Sequence, residues 1–229
     1  MLAAVMAAAC ASKPGVVEMR EAPTGLRDGE AIAIMLSTYR QSAGEDLVDE
    51  KVDPQAIERT FDSCLRQEML KTRSGLRFVE PQALREAAFP GKKIEEIPTD
   101  AQAVLKDLTD GKQGGRADLA GLRYVILLNG SQWDTGPKSF FSGSGGGAVI
   151  AGGSDRILAL YATVLDLLHR RVAGMLRADR KGGEGGGIAF VVIIPIPFYF
   201  SSNPEGAELC AELGQALVRF IVQQNPESR

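Results

Sequence analysis

The chain has 229 residues, 29 acidic and 26 basic side chains, a formal net charge of −3 and 45 % hydrophobic residues. That length buries a substantial core and favours one domain, while so slight a charge imbalance argues against nucleic acid as a partner. No uninterrupted apolar stretch reaches the roughly 18–20 residues of a membrane-crossing helix, so attachment to a membrane is expected only through an end or a modification.

Leu2–Ala9 is apolar and small at its end, and a turn-like polar segment follows Cys10. This is the shape of a cleavable export signal, a greasy run followed by side chains that fit a peptidase pocket. The segment resembles a bacterial lipoprotein signal, which implies that residues 1–9 are removed and that the Cys10 thiol carries the lipid. No Lys or Arg precedes the run, and Ala7 stands where that pattern usually has Leu. An ordinary Ala-x-Ala signal cut before Cys10 and an Ala-rich helix that is never removed remain the alternatives. Ala11 after the cysteine implies, on the same resemblance, the periplasmic side of the outer membrane. Residues 10–29 carry Pro14, Gly15, Pro23, Gly25 and Gly29 without a sustained period, which reads as a lipidated tether.

The expected domain runs from 30 to 224, with a short tail at 225–229. Ala31–Leu36 reads as the first strand. Asp53-Pro54 is an N-cap with proline at the first helical position, and Ile57, Phe61, Cys64, Leu65 and Met69 place Cys64 on that helix's buried stripe. Leu76–Val79 is a second short strand. A short helix around Leu84 follows it, and a further helix from Thr99 or Asp100 carries Ala103, Val104 and Leu108. Leu122–Leu128 looks like a central strand. Ile157–Leu167 and Val172–Ala178 form a hairpin turning near His169-Arg170, and a last apolar run spans Ile188–Ile194. Asn203-Pro204-Glu205 launches a C-terminal helix with Cys210, Leu213, Leu217, Phe220 and Ile221 on one stripe. Two helices that each hide one cysteine against a common core make Cys64 and Cys210 candidates for a disulfide in an oxidising compartment; two inert buried thiols are the other reading. The expected fold class is α/β, a single mixed sheet packed against helices as one layer pair, with a C-terminal helix and glycine-rich loops.

That order of elements, with "GLRYVILLNG" and "ALYATVLDLLHRRVAG", resembles the N-terminal domain of the Tol–Pal translocation protein and outer-membrane lipoproteins of the curli-secretion type. The resemblance covers roughly residues 30–224 and implies assembly or regulatory roles without a shared catalytic centre.

Ser142–Gly147 and Gly182–Gly187 lack the lysine and following helix of a phosphate cradle and read as flexible loops joining strands. The lone His169 at a hairpin tip and the missing Gly-x-Ser-x-Gly elbow argue against serine hydrolysis. One histidine and two distant, core-facing cysteines make no tetrahedral metal set, and no cofactor is expected. Trp133, among amides and an acid, suits either an aromatic platform for a sugar or a cover for the core's end. Arg170 and Arg171, with Arg156, Arg177, Arg180 and Lys181, form either a contact for anionic partners or a solvated strand face. Phe198 and Tyr199 lie beyond Pro195 in a segment that outruns an ordinary strand and that, if exposed, would be a partner or membrane patch. Three functions are therefore expected in competition. They are a non-catalytic adaptor or assembly lipoprotein, a subunit of an oligomeric secretion or surface-assembly complex whose glycine-rich hairpins enter the membrane, and a cell-wall enzyme using a carboxylate pair beside Trp133.

Overall fold

The computed structural model describes residues 16–42, 53–110, 119, 121–144, 147–191, 194–202 and 206–222, with backbone alone at 41–42, 134–144, 147–156, 183–191, 194–202 and 206. Strands are β1 (Val17–Arg20), β2 (Ala31–Ser42), β3 (Arg77–Val79), β4 (Leu122–Ser144), β5 (Gly147–Asp166), β6 (Arg171–Val191) and β7 (Ile194–Ser202). Helices are α1 (Pro54–Thr72), α2 (Pro81–Ala88), α3 (Ala101–Asp110) and α4 (Gly206–Val222).

Local chemistry sets the helix starts. The Asp53 carboxylate accepts from the Gln55 backbone N–H at 2.9 Å, and Pro54 follows it in the first turn, where a missing N–H costs nothing. Asp100 caps α3 in the same way through the Ala103 N–H. The strands build one mixed sheet in the order β1-β6-β5-β4-β2-β3, with β7 on β6 further along. β2 is parallel to both β3 and β4, and all other pairs are antiparallel. The class is α/β, with the expected C-terminal helix.

Period-two alternation along the strands divides the core in two. Ile32, Ile34, Leu36, Tyr124, Ile126, Leu128, Leu160 and Val164 pack with Phe61, Leu65 and Met69 of α1 and Leu209, Leu213, Leu217 and Phe220 of α4. Their neighbours Ala33, Met35, Val125, Leu127 and Leu165 pack with Leu84 of α2 and Val104, Leu105 and Leu108 of α3. Helices therefore cover both faces, and the expected single layer pair becomes three layers.

Two further expectations are corrected. The segment read as tether up to residue 29 is part of the domain from β1 onward: Val17–Arg20 pairs with Gly174–Arg177 of β6. Leu26 N–H donates to Ile221 O, and Gly25 N–H to the Tyr124 hydroxyl. Gly182–Gly187 is not a loop but lies within β6, bonded to Ala151–Arg156 of β5 and, from Gly183, to Phe198–Ser202 of β7. A run without side chains shows no period, yet its backbone pairs like any other once the flanking strands fix the register. Of Ser142–Gly147, residues 142–144 end β4 and Gly147 opens β5, paired as strands up to Ser144 and Gly147, and residues 145–146 lie outside the described residues. Cys10, Asn203–Glu205 and the tail at 225–229 lie outside the described residues.

Candidate functional site, a four-stranded extension of the sheet

The β2–β4 ladder ends at Ser42 and Trp133. Beyond it β4 continues to Ser144 paired with β5 alone, so among the described residues its other edge has no strand partner. β5, β6 and β7 continue beside it, and Ile194–Ser202 of β7 pairs with Gly183–Val191. At about 3.3 Å per residue the extension from Trp133 to Ser144 is some 36 Å long. Pro195 and Pro197 sit in β7, whose one described ladder is to β6; a proline that donates no bond is at home on such an edge. The extension thus carries two strand edges that lack partners among the described residues, a template for pairing with further strands.

The end of the sheet opposite the extension is closed by a buried charge cluster, with Asp166 paired to Tyr124 and Arg171. Asp166, fully buried at the end of β5, accepts from Arg123 Nη2 at 3.1 Å and from the His169 backbone N–H at 3.1 Å, and its Oδ2 lies 2.8 Å from His169 Nδ1. The carboxylate thereby closes the β5–β6 turn on itself while balancing a buried guanidinium. Arg170 occupies the turn with φ 51° and is exposed. Arg171 reaches back across the sheet, Nη2 donating to Pro23 O at 3.0 Å. The expected basic patch is divided among partners. Arg180 pairs with Glu208 and Glu212 of α4, and Arg177 pairs with Asp179 and lies over the Tyr161 ring.

Cys64 and Cys210 are joined as a disulfide, with Cα atoms 6.0 Å apart, which ties α1 to α4. Gly214 shows how closely these helices meet: a Cβ there would stand 2.9 Å from Glu68 Cβ. A second network sits on the opposite side of α1. Glu58, nearly buried, accepts from the Leu36 N–H at 3.0 Å, beside an irregularity in the β2 register, and its other oxygen pairs with Arg85. Arg66 joins Asp62 to Glu80 and donates to Val79 O. Burial pushes the Asp62 carboxyl up to about 6, against the lowering pull of Arg66. Burial also raises the Tyr39 phenol; its ring covers Gly130, where any Cβ would collide with it.

Trp133 is half-buried at the last position of the β2–β4 ladder, opposite Ile157 of β5. Phe198 and Tyr199 fall in β7 opposite Gly187 and Gly186, and their side chains lie outside the described residues. The structure thus brings together Cys64 and Cys210, sets Arg170 and Arg171 at the turn, and leaves Trp133 and the β7 aromatics on the extension. Among the described residues no group of three or more His, Cys, Asp or Glu is arranged to hold a metal ion, and no helix is long and apolar enough to cross a membrane. Sequence reasoning missed Arg123, Asp166 as its partner, and Glu58. The available signal for the last was a carboxylate at helical spacing from Phe61 and Leu65, on the stripe that faces the sheet.

No protein-family model matches the chain, and no curated protein matches it in sequence. Among solved structures it is similar to a neuraminyllactose-binding hemagglutinin homolog from Helicobacter pylori, at 10% identity and a TM-score of 0.34 over 89% of each chain. It is also similar to the PelC dodecamer from Paraburkholderia phytofirmans, at 10% identity and 0.37 over 92% of this chain and 99% of that one. A third is the lipoprotein GNA1162 from Neisseria meningitidis, at 10% identity and 0.27 over 82% and 96%. Likenesses this weak carry no inference about the chain's work. The resemblance to the Tol–Pal and curli-secretion proteins rests on the order of elements and the two sequence motifs given above, and these three likenesses do not extend it.

Proposed function

We propose that the protein is a non-catalytic, lipid-anchored subunit of a cell-envelope assembly that works by associating with copies of itself, its extension directed toward the membrane. The observation that carries this reading is the extension β4–β7 with its two edges. Four strands are too few to close on themselves, and strand edges of this length are used or covered in stable proteins. Pairing the β7 edge of one copy with the β4 edge of the next is heterologous, and such contacts generate rings where the rotation closes. Cys10 supplies the anchor in this reading, and the outer membrane is its expected seat.

Co-expression of two differently tagged copies in the native host, followed by extraction in mild detergent and capture through one tag, tests it. Recovery of the second tag in particles of fixed stoichiometry is the expected result. Recovery of other envelope proteins without the second tag overturns self-association in favour of an adaptor role. Turnover of cell-wall fragments by the purified protein, lost on mutation of an acidic pair, overturns the non-catalytic reading.

A further inference from the structure

The strand registers align the four strands of the extension row by row. Lys138, Gly153, Gly185 and Phe200 form one row, and the row beneath it contains Glu184. Above them six rows follow, from Ser139–Gly152–Gly186–Tyr199 to Ser144–Gly147–Val191–Ile194. Residues 139–154 and 185–204 contain no Asp, Glu, Lys or Arg. The charge-free rows alone span about 17–20 Å at ~3.3 Å per step, the greater part of the ~25 Å apolar band of an outer-membrane barrel. Aromatic residues 198–200 of β7 stand at the boundary, where interfacial rings are favoured.

β1 gives the direction of the leash. It runs antiparallel to β6, with Val17 opposite Arg177 and Arg20 opposite Gly174. The start of β1 therefore faces the end of β6 that enters the extension. From Arg177 to the boundary at Gly185 is eight steps, about 26 Å. From Val17 back to Cys10 is seven steps, at most about 24 Å. Fully extended, the chain ahead of β1 thus brings Cys10 to the row of Glu184, about one step below the level at which charge disappears.

We infer that the charge-free rows enter the bilayer and that the leash fixes their depth, the membrane surface meeting the sheet at the row Lys138–Gly153–Gly185–Phe200. This rests on the proposed anchoring and self-association: in hydrocarbon an open strand edge leaves its N–H and C=O groups unsatisfied, so neighbouring copies complete the edges there. β1, clamped to the body by Arg20 on Phe220 O, is the fixed end from which the lipid measures.

The test uses the full chain with its disulfide intact, coupled through the Cys10 thiol to a maleimide lipid in phosphatidylcholine vesicles, so that the anchor does not depend on native processing. In a Trp133→Phe background, single tryptophans replace Phe141, Phe200 and Tyr161, and quenching by phosphatidylcholine brominated at mid-chain is read. Expected is loss of most emission for Phe141→Trp, a smaller loss for Phe200→Trp and none for Tyr161→Trp. An unquenched Phe141→Trp, or Tyr161→Trp quenched as strongly, overturns insertion. Deleting Ala11, Ser12 and Lys13 leaves four steps, about 14 Å; reduced quenching at position 141, or loss of amide protection in β1, is the expected response. Unchanged quenching with β1 still protected overturns the depth role. Intact mass from the native host and the two-tag capture report separately on lipidation and self-association.

Discussion

Replacing Gly174 by alanine isolates the joint between β1 and the body. Gly174 has φ 151°, a conformation that side-chain-bearing residues rarely adopt. An added Cβ would fall inside contact distance of the Met19 carbonyl oxygen and 2.8 Å from Phe220 Cζ. Holding β1 in place against that overlap costs about 1–3 kcal/mol in strain and a similar amount in overpacking. Releasing β1 instead forfeits its ladder, the Glu21 and Ala22 N–H bonds to Ala173 O, the Arg20 and Thr24 bonds to Phe220 O and the Arg20–Phe220 ring contact. At about 1 kcal/mol net per hydrogen bond and 0.5–1 for the ring, release costs at least about 5 kcal/mol, so the expected loss is that of the cheaper route, about 2–6 kcal/mol. Urea denaturation reads the total, and hydrogen exchange at Glu18–Arg20 shows whether the strand has let go. A variant within about 0.5 kcal/mol of the parent, with β1 protection unchanged, would refute the argument that this glycine seats the strand.

Three further outcomes follow from the helical face. The oxidised, denatured chain is expected to show one titratable thiol, Cys10, if it is unacylated, and none if it is acylated; replacing Cys64 and Cys210 together by alanine should cost up to about 5 kcal/mol in reversible unfolding, because the bridge closes a long loop. Asp62 gives a pH signature. Its folded pKa is raised, so the stability it contributes is fully present below the unfolded carboxyl value near 4 and is lost as pH rises through about 6. A shift of that size sets a ceiling of about 3 kcal/mol, reduced by screening to roughly 1–2. Asp62→Asn should therefore gain on the parent as urea midpoints are measured from pH 4 to pH 7, and a constant difference across that range would exclude the mechanism.

What was legible in the sequence depended on whether the signal was local. Asp53-Pro54, the apolar run at Leu122–Leu128 and the turn at residues 167–170 each carry their own chemistry, and each stands where it was expected. The pairing of Cys64 with Cys210 was open to inference because both sit on stripes that must meet one core. β1 was hidden for the opposite reason. All four of its residues are exposed, so nothing in Val17–Arg20 announces a buried face, and its place is fixed by Gly174 and Phe220, far along the chain. Gly182–Gly187 was hidden because strand character there resides in backbone bonds to its neighbours. The buried Arg123 is matched by Asp166 only once β4 and β5 are in register, with Tyr124 opposite Asp166.

The nested hairpins also set an order of assembly. Ser144 pairs with Gly147 and Val191 with Ile194 across the shortest possible connections, whereas the parallel contact of Ala31 with Leu122 waits on everything between them. Because local closure precedes distant closure, the uncharged ends of β4–β7 are expected to pair before the helices dock on the sheet. During that interval the chain exposes its stickiest surface, and α4, made last, completes the core only afterwards. An escort that holds the hairpins until α4 docks is expected to raise the yield of native protein.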